Sequence, residues 1–110
     1  MLVEKNAPLQ QYNTFGIMAR ALNLVRVQSE QDIRDFLAGP PLGANRQVVV
    51  LGGGSNIVIT GDVEPTVFKM EIKGKRLVAE TDKHYIIEVG AGEVWHEVVA
   101  WSIENGFPGL

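Results

Sequence analysis

Three consecutive glycines, Gly52-Gly53-Gly54, stand directly after the branched apolar run Gln47-Val48-Val49-Val50-Leu51 and before Ser55-Asn56, and they constrain this chain more than any other feature. Glycine loses the most backbone freedom on folding, so three in a row at the end of a strand rarely serve packing alone. Without β-carbons, successive N–H groups can converge into a concave nest that holds phosphate oxygens, and Ser55 and Asn56 can add side-chain donors. Taken alone, the stretch also reads as a flexible turn between strands.

Spacing excludes two familiar phosphate motifs. A P-loop needs Gly-x-x-x-x-Gly-Lys-Ser/Thr, and no lysine occurs between Lys5 and Lys69. A dinucleotide fingerprint needs a third small residue followed by a helix, whereas Ile57 stands there and the chain continues Ile57-Val58-Ile59. With a formal net charge of −3 the chain is a poor nucleic-acid binder, since neutralising a phosphate backbone needs clustered Lys and Arg. A diphosphate held here would be met by oriented main-chain dipoles rather than by lysine.

The surrounding pattern predicts an α+β fold. Residues 1–16 read as polar and irregular, and Leu22 to Val27 alternates as a first core strand. Ser29 with Asp32 three residues on marks a helix start, and Ile33, Phe36 and Leu37 give it an apolar stripe until Gly39-Pro40-Pro41 ends it. The run Gln47–Leu51, branched and without alternation, is expected to be a central parallel strand covered on both faces, which makes a right-handed β-α-β crossover the economical reading. From Thr66 the segments 67–70, 76–80 and 85–89 are expected to form an antiparallel meander. Val94 to Glu104 is expected to be a helix closed by Asn105-Gly106, with Trp95 and Trp101 in the core. The domain division expected from this texture is 1–65, a β-α-β lobe with the glycine loop, and 66–110, the beginning of a second lobe.

Other function classes find little support. There is no cysteine, and His84 and His96 have no paired acids at ligand spacing, so no metal site is expected. The longest apolar runs are far below the ~20 residues a membrane span needs, and no secretory signal is evident at the start, so a cytoplasmic protein with no membrane partner is expected. Lys69, Glu71, Lys73, Lys75 and Arg76 read as surface charges of a hairpin.

Four blocks carry a resemblance. Asn13-Thr14-Phe15-Gly16, Leu51-Gly52-Gly53-Gly54-Ser55-Asn56, Val89-Gly90-Ala91-Gly92-Glu93-Val94-Trp95 and Gly106-Phe107-Pro108-Gly109-Leu110 resemble, in order and spacing, the amino-terminal part of UDP-N-acetylenolpyruvoylglucosamine reductases. The resemblance implies the vanillyl-alcohol-oxidase (PCMH-like) FAD-binding fold, with FAD as cofactor and contacts from Gly52, Gly53, Gly54, Ser55, Asn56 and Ile57. It also implies a reaction in which NADPH reduces the flavin and the flavin passes hydride to the enolpyruvyl group of a UDP-sugar, making a peptidoglycan precursor.

The family's proton-donating serine, and its arginine and glutamate, lie beyond the Pro-Gly-Leu block. No catalytic residue is therefore expected among these residues, and the 110 residues alone are expected to lack reductase activity. The rival readings are another FAD oxidoreductase of the same broad fold and a non-catalytic interaction domain with a glycine-rich turn.

Overall fold

The computed structural model describes residues 2–13, 16–40, 47–53 and 59–110. Its first unit is a four-stranded sheet in the order β1-β2-β4-β3, built from β1 (Leu2–Pro8), β2 (Arg20–Val27), β3 (Val48–Leu51) and β4 (Thr66–Met70). β1 runs antiparallel to β2, while β4 is parallel to both of its neighbours, with Leu24 opposite Val67 and Val49 opposite Val67 in turn.

The helix α1 (Glu30–Ala38) forms where its cap predicts. The Ser29 hydroxyl accepts from the Asp32 N–H at 3.3 Å, and the Asp32 carboxylate accepts from the Gln28 N–H at 2.8 Å. Its apolar stripe meets one face of the sheet, where Ile33 and Phe36 pack on Val25, Val27 and Phe68. Phe36 and Phe68 meet edge to face, with centroids 4.8 Å apart. Leu24, Leu51, Ile59 and Val67 form a second cluster with Ala7, Leu9 and Ala19, and Tyr12 and Ile17 lie against it. Burial of these aliphatic side chains, at roughly 1.5–3 kcal/mol each, is the main force holding the sheet to its covering elements.

Three expectations need correction. Residues 2–8 are a strand and not an irregular arm; only Ala7 of that strand is buried, so its sequence carries almost no apolar signal. Thr66–Met70 does not open an antiparallel meander but fills the gap between β2 and β3. That insertion leaves β3 on the edge, with Val50 61% exposed, so the run is parallel as expected but neither central nor covered on both faces. Ile57 and Val58 lie outside the described residues, and Ile59 is buried without being part of a strand.

The second unit is the hairpin β5 (Lys75–Glu80) and β6 (Tyr85–Val89), followed by α2 (Trp95–Glu104). The hairpin turns through Thr81–His84, where the Thr81 hydroxyl accepts from the His84 N–H at 3.0 Å. α2 ends in a Schellman motif: the Gly106 N–H donates to Ile103 and the Phe107 N–H to Ser102, with Gly106 at a φ of 72°. This turn delivers the Phe107 ring between Tyr85 and Trp101, at centroid distances of 4.8 and 5.5 Å. Only Val98 and Ser102 of α2 are buried; Trp95 is 65% exposed, which corrects its expected place in a core. No helix among the described residues is long and apolar enough to cross a membrane.

Candidate functional site

The parallel strands deliver the chain to the glycine loop. Leu51, the last residue of β3, is buried on the face opposite α1, and it aligns with Lys69 of β4, which aligns in turn with Arg26 of β2. Because paired residues on neighbouring strands share a face, the two cations stand in a row with the strand end that leads into Gly52. Lys69 Nζ donates to the Gly52 carbonyl at 2.8 Å and lies 5.6 Å from the centroid of the Tyr12 ring.

Arg26 anchors the row. Its Nε donates to Glu4 at 2.9 Å, its Nη2 to the Tyr12 hydroxyl at 2.7 Å, and its Nη1 to Glu71 at 3.3 Å. The hydrogen bond to Glu4, then the neighbouring Tyr12 and Glu71, raise the Arg26 pKa above its ordinary value. Burial lowers that of Lys69; Glu71 opposes the shift, and Lys73 and Arg26 add to it.

Tyr12 reaches this row from the turn Gln10–Tyr12, and Asn13 holds the turn in place. The Asn13 amide is buried, donating to the Leu9 carbonyl at 2.8 Å and accepting from the Ile17 N–H at 2.9 Å. Thr14 and Phe15 of the same block lie outside the described residues.

The glycines fall into two classes. A β-carbon on Gly90 would sit 2.3 Å from the Ile72 carbonyl oxygen, and one on Gly92 would sit 2.7 Å from the Glu71 main chain, so both are required by the close approach of the 71–73 backbone. Lys73 Nζ caps the Gly92 carbonyl at 2.6 Å, and Lys75 pairs with the nearly buried Glu93 at 2.9 Å. Gly52 and Gly53 differ: both are exposed, neither has a positive φ, and among the described residues nothing lies within 4 Å of where a β-carbon would be. The described residues make no steric demand for glycine at either position. Of the other expected contacts, Gly54, Ser55, Asn56 and Ile57 lie outside the described residues.

Sequence reasoning missed the cations. Arg76 is a hairpin surface charge, paired with Glu88, but Lys69 bonds the Gly52 carbonyl, Lys73 and Lys75 bond Gly92 and Glu93, and Glu71 pairs with Arg26. Lys69 is seventeen residues from Gly52 in sequence, and only the parallel register of β3 on β4 brings them together. A hollow of about 470 Å³ lined by Val49 and residues 59–65 is a poor rival for an anion, because its charged lining groups are Asp62 and Glu64. Among the described residues no cluster of three or more His, Asp or Glu could hold a metal.

A family described as "FAD binding domain" matches residues 21–110. The chain belongs to this FAD binding domain family. FAD is thus the cofactor of the domain. Among curated proteins, the chain is similar to UDP-N-acetylenolpyruvoylglucosamine reductases. It is 45% identical to that of Azoarcus sp. over 114 residues, covering 100% of this chain and 33% of the relative. The Burkholderia orbicola reductase is 47% identical over 103 residues, covering 94% and 29%. The Pseudomonas aeruginosa reductase is 40% identical over 113 residues, covering 98% and 32%. The chain spans about a third of the length of these curated relatives.

Proposed function

We propose that this FAD binding domain serves an NADPH-dependent UDP-N-acetylenolpyruvoylglucosamine reductase, supplying the part of the cofactor site that holds the FAD diphosphate. When bound, FAD supplies hydride transfer between NADPH and the enolpyruvyl double bond of the UDP-sugar. The residues assigned to the diphosphate are Gly52 and Gly53 of the described loop, with Gly54, Ser55, Asn56 and Ile57 continuing it. Main-chain N–H groups without β-carbons beside them are the donors such an assignment requires.

The observation that carries this reading is the contrast between the glycines. Gly90 and Gly92 are explained by contacts within the chain, while among the described residues nothing explains Gly52 and Gly53. A backbone kept bare where the fold has no need of it is a backbone that something else approaches. Identity of 38–47% to reductases over nearly the whole chain supports the choice of UDP-N-acetylenolpyruvoylglucosamine as substrate, and a peptidoglycan-precursor role places the work in the cytoplasm.

No residue of the 110 is assigned to proton transfer, so the isolated chain is expected to turn no UDP-N-acetylenolpyruvoylglucosamine into the reduced product in the presence of FAD and NADPH. We also propose two FAD-binding subdomains. The sequence pattern puts the seam near residue 65; pairing of β4 within the first sheet favours a seam at 71–74.

The test is a pair of substitutions in a protein of the relatives' length carrying this segment, Gly53→Val and Gly54→Val, with FAD binding followed by flavin fluorescence. Gly53→Val is expected to weaken FAD at least about tenfold while moving the stability of the FAD-free protein by no more than about 0.5 kcal/mol, as for an exposed surface change. Unchanged FAD affinity in both variants would remove the loop from the cofactor site.

A further inference from the structure

We infer that Lys69 is the positioning residue of the diphosphate loop: its ammonium holds the Gly52 carbonyl on the sheet side, so the Gly53 N–H is turned outward toward an anion. The inference rests on the proposed role of the loop. The geometry is that of one peptide unit. Lys69 Nζ lies 2.8 Å from the Gly52 oxygen, and no cis peptide occurs among the described residues. In a trans peptide the C=O and the following N–H point in opposite directions, so fixing the first toward Lys69 fixes the second away from it. The same contact turns a carbonyl dipole, which would repel a phosphate, out of the anion's path and leaves a positive charge behind the loop.

Lys69 is itself held for this task. Register places it beside the strand end that opens the loop, and the Tyr12 ring stands 5.6 Å from its ammonium. Tyr12 is in turn fixed by Arg26 at 2.7 Å and by the Asn13 turn. Burial lowers the Lys69 pKa, while the Gly52 carbonyl and the face of the Tyr12 ring hold the ammonium in place. The chain of contacts also gives the Asn13 segment a part in the site without requiring it to touch the cofactor.

The test compares FAD with riboflavin, which shares the ring system and lacks both phosphates, in a protein of the relatives' length carrying this segment. Lys69→Met is expected to weaken FAD about tenfold, the size of one charge-assisted hydrogen bond to the anion lost when the Gly53 N–H is no longer oriented. It should leave riboflavin affinity and the cofactor-free melting temperature unchanged, and Lys69→Arg should recover most of the FAD affinity. Equal losses for FAD and riboflavin, a lowered cofactor-free melting temperature, or no loss of FAD would each overturn the assignment. A different result marks failure of the underlying loop reading: a Gly53→Val protein in which FAD keeps its full advantage over riboflavin.

Discussion

Replacing Gly90 with alanine tests the close approach of the 71–73 and 90–92 backbones most directly. The new methyl would lie 2.3 Å from the Ile72 oxygen and 2.9 Å from the Lys73 carbonyl carbon, and both are main-chain atoms that no rotamer change can clear. An ordinary contact starts at 3.4 Å, so the two backbones must part by about an ångström. Parting them strains two hydrogen bonds, Gly90 N–H to Gly74 at 2.9 Å and Gly92 N–H to Ile72 at 2.8 Å. Overpacking alone costs about 1–3 kcal/mol, and weakening these bonds adds roughly 0.5–1.5 kcal/mol each where they are lost. The expected loss is about 2–4 kcal/mol, a large share of the roughly 5–15 kcal/mol that holds a typical domain together. Urea unfolding followed by circular dichroism measures it, with Gly53→Ala as the control that should cost nothing. A Gly90→Ala midpoint indistinguishable from that control would refute the steric argument.

Two further outcomes follow from the same packing. The hydrogen bond from Lys75, with the charges of Lys75 and Lys73, holds the Glu93 carboxyl below its ordinary pKa. Its stabilising contribution is complete above the unfolded-state value and is lost as pH falls through the lower folded-state value. Glu93→Gln should therefore flatten the acid limb of a stability against pH curve, and an unchanged limb would count against the pair. The exposed apolar side chains of the hairpin and α2, among them Ile86, Trp95 and Ile103, should make the 110-residue chain self-associate in sedimentation velocity as concentration rises. A monomer at every concentration would contradict this.

What could be read in the sequence follows the range of the forces involved. α1 and α2 were legible because their signals are local: the Ser29 cap, and the Asn105-Gly106 exit that delivers Phe107. The hairpin was legible from its own alternation and turn residues. Parallel pairing is not local, so nothing in Thr66–Met70 announces that it belongs between β2 and β3. β1 was invisible because an edge strand with one buried residue needs its partner's hydrogen bonds more than any apolar pattern. In the proposed site, the glycine loop stood out through its cost in entropy, whereas Lys69 and Arg26 did not, because a cation's neighbours depend on what the register sets beside it.

The order of the four-stranded sheet has a consequence for synthesis of the protein. The strand made last, β4, occupies an interior place, and its partners in β2 are more than forty residues earlier. Until Thr66–Met70 leaves the ribosome, β3 has no neighbour on the side that will hold it, and the aliphatic side chains around Leu51 cannot be sealed. Closing such a span before any pairing is gained is an entropic cost met late, so the nascent chain passes through a stage with bare strand edges. During that interval a chaperone, rather than the sheet itself, is the natural cover for them.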